Sequence, residues 1–600
     1  MPRISNRAVH LVASVYMFFF SEWLFFVTKD SFFATCTLLS GIEAFFVSAL
    51  FFLAAAGAAT VVLSHVGAGS AAVVPAIITA VVAVLAADNF TYTLFRVGII
   101  SLHGLALIPA LGLVVFLVCV FREYFARREL LPTSSLGACV AFSLVCGSVG
   151  CAALRIVTVS EPPPLKAMES PARRPNIVFF AGDGIDAGNM SVYGYARKTT
   201  PVLEGMRDRA LIVNAALTNS GKTTSSLVSL LNGMLPTTTK VVAQNDVLRG
   251  IYSDLHLPGL LRRHGYRSFQ ETLDVYADSQ SVNMRRAFDV VNGVAVSSLS
   301  DRLPLLSGYR FELELLFVRS VLRRTADRVL HLCGLRRMVN PIAAVDGTPK
   351  AKRRGPSDDE RMSRVLELVR HEQEPFFLHL HLMGTHCCHF EPDVRVFSDG
   401  HTPSNTVDSY DDEVLAFDRR FATLVQALEE RGILNNTLIV VSSDHGIEWK
   451  VDRRVPLIFF FPGGEHRGVL NFTAQLADVV PTVLDYLGVS VDWGVDGRSL
   501  LETPAPPTDR LIFTLPNGPL GTPAVRFYDA SGTPLPELRD LALTVCDRQY
   551  TLTLSDGSMR EQPLPGLQAC AEERNPGLSG AKERILSHLK DKGWTPSPLH

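Results

Sequence analysis

The pattern of hydrophobic positions in this chain changes near residue 158. Before that point long apolar runs follow one another, at about 8–28, 44–63, 71–87, 101–121 and 136–154. Most of them approach the roughly 20 residues that a helix needs to cross the hydrocarbon core of a membrane. A cleaved signal peptide accounts for the first run at most, because four more runs follow it. The pattern therefore predicts a five-helix transmembrane domain over residues 1–158.

Basic residues set the expected orientation of these helices. Arg3 and Arg7 precede the first run, and Arg122, Arg127 and Arg128 lie between the fourth and the fifth. Because basic loops stay on the cytoplasmic side, five spans place the rest of the chain outside the cytoplasm. We therefore expect a multi-pass protein of the cell (inner) membrane. Its Pro-rich linker at 159–174 is expected to be extended and to lead to a periplasmic or extracellular domain.

Composition agrees with this division. Mean hydropathy over the 600 residues is +0.21, and only eight charged side chains fall within the first 120 positions. A purely soluble enzyme is therefore excluded. Nucleic-acid-binding proteins usually carry an excess of basic residues, whereas this chain has a net charge of −2. No nucleic-acid partner is therefore expected.

Beyond the linker, short apolar runs rich in β-formers each stop at polar residues. These runs are 176–181, 375–383 and 437–443. Separated by helical stretches, they favour a parallel sheet covered on both faces, which binds ligands beyond the carboxyl ends of its strands. A single Asp after a strand is commonly a turn residue or helix cap. Asp183, His386, Asp444 and His445 together at one edge indicate a site instead.

A further polar segment, 219–233, leads into an apolar helical turn that ends at Asn-Gly. Its pattern places Thr223 at a helix N-terminus, where free N–H groups would hold a phosphate or sulfate. An ordinary Ser/Thr cap explains the same composition. A Walker phosphate loop is excluded, because the first glycine of that pattern is missing.

Several segments resemble sulfatase-like enzymes of the alkaline phosphatase superfamily. They are 182–201, 377–386, 410–418, 434–446, 455–457 and 478–488. The resemblance covers about 175–500 in collinear order. It implies an α/β fold class, with the five-helix transmembrane domain followed by an alkaline-phosphatase-like α/β/α sandwich over 175–502. Residues 503–600 are expected to form a small α+β subdomain without chemistry of its own.

Two departures point to a subgroup. Sulfatases commonly mature a Cys or Ser within Cys/Ser-x-Pro-x-Arg, whereas residues 223–227 are Thr-Thr-Ser-Ser-Leu. Gly184 stands where sulfatases commonly place a second acidic metal ligand. A threonine nucleophile and a leaner metal site are similar to the membrane-bound phosphoethanolamine transferases and lipoteichoic acid synthases.

Carried over position by position, the resemblance implies one divalent metal, zinc or manganese. Its ligands would be Asp183, Thr223, Asp444 and His445, whose oxygen and nitrogen donors suit either ion. Thr223 would be the nucleophile.

The remaining implied roles belong to residues near Thr223 and at the end of the second strand. His386 would bind the phosphoryl oxygens or carry a proton, and Ser226 would bind substrate. Lys222 would offset developing charge, although a solvated lysine fits equally well. His379 and His381 alternate within a strand and are expected to be core histidines.

The expected function is therefore transfer of a phosphoryl head group, phosphoethanolamine or phosphoglycerol. The donor would be a membrane phospholipid and the acceptor an envelope glycolipid or glycan. The reaction would pass through a phosphothreonine. The short stretch between Gly446 and Val455 lacks the histidine that the transferases often carry there. A sulfuric ester or phosphodiester hydrolase therefore remains an alternative, a non-catalytic membrane scaffold is a second one, and the oligomeric state stays open.

Two other features lead to open alternatives. Residues 309–340 combine apolar periodicity with arginines, which suits either a helix on the membrane surface or an amphipathic helix packed in a core. An oxidising compartment permits a disulfide between Cys546 and Cys570, although the sequence does not establish the pairing.

Overall fold

The structure, a computed structural model, divides into two compact units, and each is made of two chain segments. One unit comprises Met1–Pro163 and Ser298–Asn340, and the other comprises Pro164–Ser297 and Pro341–His600. We refer to them as the helical unit and the catalytic unit. The described residues are 6–28, 31–65, 72–95, 107–128, 135–158, 171–273, 277–296, 308–333, 335, 356–386, 390–490, 493–502, 510–517, 523–569 and 571–596.

The helices and strands are numbered in chain order. The helices are α1 Asn6–Val27, α2 Leu38–Ser64, α3 Val73–Phe95, α4 Leu107–Arg128, α5 Ser135–Thr158, α6 Pro201–Gly205, α7 Thr223–Asn232, α8 Pro236–Thr239, α9 Leu257–Arg263, α10 Glu312–Leu332, α11 Asp358–His371, α12 Val407–Glu430, α13 Val479–Leu487 and α14 Gly577–Asp591. The strands are β1 Asn176–Gly182, β2 Leu211–Leu217, β3 Arg267–Glu271, β4 Val290–Val291, β5 Val294–Ala295, β6 Phe376–Leu382, β7 Thr437–Ser443, β8 Leu457–Phe460, β9 Gly468–Gln475, β10 Ile512–Thr514, β11 Phe527–Tyr528, β12 Asp540–Val545, β13 Arg548–Thr553, β14 Met559–Pro563 and β15 Thr595–Pro596.

Helices α1 to α5 coincide with the five predicted apolar runs, but the number of candidate spans is smaller. Within the described residues, three helical stretches are long and apolar enough to cross a membrane, namely Ala8–Val27, Leu38–Leu63 and Ser135–Thr158. The apolar part of α3, Val73–Asp88, is shorter. The last part of α4 carries Arg122, Glu123 and two further arginines. Of the five predicted spans, the described residues therefore support three. In α4, the charged residues at its end shorten the apolar stretch.

The division into units differs from the predicted continuous domain at one segment. Helix α10 lies in the helical unit, although the chain before and after it belongs to the catalytic unit. The Phe317 ring contacts Phe19, Phe26 and Phe33 with centroid distances of 5.7, 5.7 and 5.3 Å. The residues 298–307 and 336–340 lie outside the described part of the chain. The predicted boundaries at residues 158, 174 and 502 stay predictions.

A nine-stranded sheet forms the centre of the catalytic unit, in the order β5-β4-β3-β6-β1-β7-β8-β2-β9. The pairs β3/β6, β6/β1 and β1/β7 are parallel, whereas β8 runs antiparallel to both of its neighbours. Ile177 and Phe179 of β1 face one hydrophobic core, and Val178 and Phe180 face the other. Both faces are covered, as the unbroken apolar strands predict. The predicted α/β fold class is confirmed.

The C-terminal residues build an antiparallel sheet in the order β10-β12-β13-β14 with α14 packed against it. Leu541, Tyr550 and Ile585 are fully buried between sheet and helix. Cys546 is disulfide-bonded, and its predicted partner, Cys570, lies outside the described residues. This arrangement has the α+β character expected for the end of the chain.

A buried ion pair joins the start of α13 to the chain just before β10. Arg510 donates to both carboxylate oxygens of Asp478, at 2.6 and 2.7 Å, and the Asp478 side chain is fully buried. Asp478 also accepts hydrogen bonds from the backbone N–H groups of Gln475 and Arg498. The pair therefore holds the C-terminal sheet against the larger sheet.

We predict that Arg510→Ala lowers the free energy of unfolding by about 3–5 kcal/mol, because it leaves the Asp478 carboxylate buried without its cation. The exposed pair between Arg526 and Glu537 provides a matched control. Arg526→Ala should change the stability by at most about 1 kcal/mol. Thermal unfolding of the full chain in detergent, followed by circular dichroism, measures both variants. Equal losses of melting temperature would contradict the prediction.

Candidate active site

Two adjacent parallel strands place the carboxylates of Asp183 and Asp444 side by side. Gly182 of β1 pairs with Ser443 of β7, so the next residue of each strand lies at the same edge of the sheet. Both carboxylates are fully buried. The N–H of Gly184 donates to Asp444 Oδ1 at 3.0 Å, and Gly184 has a φ of +68°. This left-handed conformation explains why glycine stands there, since a side chain would be strained.

A histidine from the next strand completes this group. His381 of β6 pairs with Ala181 of β1, and its Nε2 lies 3.4 Å from Asp183 Oδ2 and 4.0 Å from Asp444 Oδ2. His381 is fully buried, as expected of a core histidine, but its ring faces the two carboxylates. The strand pattern predicted its burial, whereas its direction depends on the register between β1 and β6.

Thr223 and His445 also lie beside Asp183. Thr223 Oγ1 is 3.5 Å from Asp183 Oδ2 and 3.3 Å from His445 Nε2. His445 Nδ1 is 2.9 Å from the Gly446 carbonyl oxygen, to which it can only donate. Its Nε2, 3.2 Å from Asp444 Oδ2, then carries a lone pair that can bind a metal. All four residues predicted as metal ligands therefore meet at one point, with His381 added.

The donor atoms fit a divalent cation. Asp183 Oδ1 and Asp444 Oδ2 are buried and have no hydrogen-bond partner. One donor atom from each of Asp183, His381 and Asp444 lies within 4.8 Å of the other two. A buried carboxylate oxygen without a partner is unfavourable unless it ligates a metal. Carboxylate and imidazole donors suit zinc or manganese.

The two buried carboxylates dominate the electrostatics of the cluster. Burial raises the pKa of Asp183, but the neighbouring His386, the hydrogen bond from His381 and the neighbouring His445 hold this pKa well below its ordinary value. For His381, burial lowers the pKa, and the hydrogen bond to Asp183 and the carboxylate charges raise it above its ordinary value. In His379, burial and the nearby His381 lower the pKa to about 3. His379 is therefore neutral, and it accepts a hydrogen bond from Gln270, as a core histidine would.

The other predicted site residues occupy three different environments. His386 is 8% exposed and packs edge-to-face against Trp449, at 6.0 Å between ring centroids. Lys222 is exposed and directly precedes α7. Ser226 is fully buried, donates to the Asp444 carbonyl oxygen and lies 2.9 Å from Thr218 Oγ1. These contacts indicate that Ser226 positions the Asp444 loop, and its expected contact with substrate stays a prediction.

The C-terminal strands contact the segment that carries Thr223, which the sequence did not indicate. The N–H of Gly221 donates to the Leu515 carbonyl oxygen at 2.9 Å, and Leu515 N–H donates to the Asn219 carbonyl oxygen at 3.0 Å. Asn517 Nδ2 donates to the Gly221 carbonyl oxygen at 2.9 Å. Residues just beyond β10 therefore fix the turn before the predicted nucleophile.

The loop after His445 packs against the same turn. Glu448 and Trp449 both have left-handed backbones, with φ of 55° and 59°. A Cβ at Gly221 would lie 2.5 Å from the Trp449 carbonyl oxygen. Only glycine allows this approach. Gln549 of β13 donates to the Val451 carbonyl oxygen, so the C-terminal sheet also supports this loop.

We predict that His381→Gln weakens zinc or manganese binding by more than the roughly 10–100-fold typical of outer-shell partners of a metal. His379→Gln, two residues away in the same strand and equally buried, is the matched control and should retain the metal. Metal content of the purified full chain and titration after chelation give the affinities. Equal affinities for the two variants would show that His381 is not a ligand.

The known proteins that this chain resembles in sequence include several described as sulfatases. A family model described as Sulfatase matches residues 175–489. The chain is 21% identical over 367 residues to an ulvan-active sulfatase of Formosa agariphila, covering 56% of this chain and 67% of that protein. It is 22% identical over 338 residues to the uncharacterized sulfatase YdeN of Escherichia coli, a match that covers 51% of this chain and 57% of that protein. An arylsulfatase of Clostridium perfringens is 31% identical over 108 residues, a match that covers 15% of this chain and 22% of that protein.

Two solved structures are similar to this chain at low sequence identity. A phosphonate monoester hydrolase of Agrobacterium radiobacter has a TM-score of 0.46 and 15% identity, covering 71% of this chain and 100% of that one. The periplasmic domain of Escherichia coli EptC in complex with zinc has a TM-score of 0.40 and 19% identity, and the match covers 60% of this chain and 95% of that one.

The matched family segment contains β1, β6, β7 and α7, and with them every residue of the buried cluster. It spans more than half of the chain. This protein therefore belongs to the sulfatase family.

Proposed function

We propose that this protein is a membrane-anchored, metal-dependent transferase that moves a phosphoryl head group from a phospholipid to an envelope glycolipid or glycan. The head group would be phosphoethanolamine or phosphoglycerol. One observation carries the proposal: the Thr223 hydroxyl lies at the N-terminus of α7, within 3.5 Å of both Asp183 and His445. A threonine cannot mature to formylglycine, so this position suits a direct oxygen nucleophile.

The reaction consists of two displacements at phosphorus. Thr223 Oγ1 forms a bond to the phosphorus of the donor, the bond to the diacylglycerol oxygen breaks, and diacylglycerol leaves with a proton. An acceptor hydroxyl then attacks the phosphothreonine, and Thr223 is regenerated when its proton returns. A divalent cation bound by Asp183, His381, Asp444 and His445 would lower the pKa of the Thr223 hydroxyl.

The chain's own residues position the phosphoryl group and the protons. The first backbone N–H groups of α7 point towards the site and suit phosphoryl oxygens. His386, at the edge of the site, would donate the proton to the leaving oxygen. Lys222, exposed just before α7, would attract the anionic donor, and this role stays a prediction.

Hydrolysis is the second candidate, because the curated relatives are named as sulfatases. It requires only that water replaces the acceptor hydroxyl in the second displacement. The loop after His445 carries no histidine between Gly446 and Val455, so its residues offer no second imidazole for an acceptor. The three apolar helices support membrane anchoring, and the inner membrane with an outward-facing site is the location we propose.

We predict that Thr223→Val lowers turnover by roughly 10⁴-fold or more, the scale of losing a nucleophile. Valine keeps the shape of the side chain and removes only the hydroxyl. Thr223→Ser keeps a hydroxyl and should retain most of the covalent labelling. Incubation with head-group-labelled phospholipid, followed by mass spectrometry of the peptide containing residue 223, measures the adduct. Full activity of Thr223→Val would disprove the covalent route.

The same labelled phospholipid separates transfer from hydrolysis. Transfer predicts that label moves to a glycolipid or glycan acceptor and stays on Thr223 when no acceptor is present. Hydrolysis predicts free phosphomonoester without acceptor. Release of sulfate from an aryl sulfate at a comparable rate would favour a sulfatase. A protein with neither activity that binds no divalent metal would be a scaffold.

We further predict that Asn517→Ala slows formation of the Thr223 adduct by roughly 10–100-fold, because a small misplacement of a reacting group has this effect. Metal affinity should not change, since the Asn517 side chain donates to the turn at Gly221 and is not one of the residues around the buried carboxylates. Adduct formation in single-turnover experiments and metal titration are the two measurements. Loss of metal binding in this variant would indicate general disruption of the site in place of a positioning role.

A further inference from the structure

Helix α10 interrupts the sequence of the catalytic unit and packs within the helical unit. Its inner face is apolar: Phe311, Leu313, Leu316, Phe317 and Val321 are all buried. Aromatic contacts join this face to α1 and α2, through Phe317 as described and through Phe311, which lies 5.5 Å from Phe51. The helix is therefore a component of the helical unit.

Charged residues of α10 neutralise carboxylates carried by the apolar helices. Arg324 Nε lies 2.8 Å from Glu22 Oε2, and Arg328 Nε lies 2.9 Å from Asp88 Oδ2. Both carboxylates are buried, with 0% and 2% exposure. Acidic residues in membrane-embedded helices are unfavourable unless they are paired. The two arginines therefore match the acidic residues of α1 and α3.

A third cluster joins α10 to α2 and α5. Arg155 of α5 lies 3.2 Å from Glu314 of α10 and 3.6 Å from Glu43 of α2. Ser48 Oγ of α2 donates to the Glu314 carbonyl oxygen at 3.3 Å. Together with the two arginine pairs, α10 has charged partners on α1, α3 and α5 and a hydrogen-bond partner on α2.

All of these partners lie at one end of the helices. Glu22, Asp88 and Arg155 lie towards the C-terminal ends of α1, α3 and α5, and Glu43 lies near the N-terminal end of α2. Consecutive helices joined by short connections alternate in direction, so these ends are on the same side. The chain also leaves α5 on this side to enter the catalytic unit. The charged pairs of α10 therefore lie towards the side of the helical unit at which α5 ends.

The opposite face of α10 exposes an apolar stripe. Leu322 and Val329 are 46% and 44% exposed, and Ala326 is also exposed. The spacing i, i+4, i+7 puts all three on one face of the helix. The same ends of the neighbouring helices also expose apolar side chains, including Leu38 at 70% and Val157 at 84%. Apolar side chains are therefore exposed on α10 and at these ends of α2 and α5.

We propose that α10 is a membrane-interface helix whose face of Leu322, Ala326 and Val329 contacts the acyl chains of the bilayer on the side at which α5 ends. The ion pairs hold the helix against the ends of α1, α2, α3 and α5, and the stripe enters the lipid. Because α10 belongs to the helical unit, the chain passes between the two units on both sides of α10 as well as after α5. This placement is independent of the ester on which the catalytic site acts.

The depth of the stripe can be measured with tryptophan quenching. Leu322→Trp in the full chain, reconstituted into phosphatidylcholine vesicles, should lose indole emission when the acyl chains are brominated. The wild type, with four tryptophans, is measured in the same vesicles and its emission subtracted. Val469→Trp is the matched control, because Val469 is 42% exposed but lies on β9 of the catalytic unit. Its emission should not change.

Equal emission of the Leu322→Trp protein in brominated and ordinary vesicles would overturn the proposal. A second protein copy covering this face would give that result. Val329→Trp tests the same face if the first variant does not reconstitute, and it should be quenched in the same way.

The ion pairs provide a separate measurement. Arg324→Glu should lower the yield of folded protein in membranes, since it places two carboxylates together in an apolar setting. Combining it with Glu22→Arg should restore the yield, because the pair is re-formed with its charges exchanged. Failure of the double variant, together with unchanged yield of the single one, would show that the pair does not hold α10 in place.

Discussion

The catalytic unit depends on a pair of buried carboxylates that cannot be stable alone. Asp183 and Asp444 meet because β1 and β7 are adjacent, parallel and in register. Each leaves one oxygen buried without a hydrogen-bond partner. His381, His445 and Thr223 lie around these oxygens. The need to compensate two buried negative charges is the physical reason why these residues form a cation site.

The surrounding structure holds this site from two directions. Ser226 and Gly184 hydrogen-bond to Asp444, one to its carbonyl oxygen and the other to its carboxylate. From the C-terminal sheet, Leu515 and Asn517 bond to the turn before Thr223. Their contribution is to orient the residue that we propose as the nucleophile.

The helical unit solves a similar electrostatic problem in a different way. Glu22 and Asp88 interrupt otherwise apolar helices, and arginines of α10 compensate them. Here the counter-charge comes from a segment more than two hundred residues away in sequence. The two units thus share one principle: a buried carboxylate is matched by residues that only the folded chain brings near it.

The sequence by itself determined the main elements. Apolar run length located α1 to α5, unbroken β-forming runs located β1, β6 and β7, and the polar residues after them located Asp183, His386, Asp444 and His445. These features are local, because strand and helix patterns depend on neighbouring residues. Only the tertiary structure decided that His381 faces the carboxylates and that Ser226 hydrogen-bonds to the loop of Asp444. It also decided that Asn517 hydrogen-bonds to Gly221 and that α10 belongs to the helical unit. Each depends on strand register or on contacts between distant segments, and a one-residue change of register would turn His381 to the other face of the sheet.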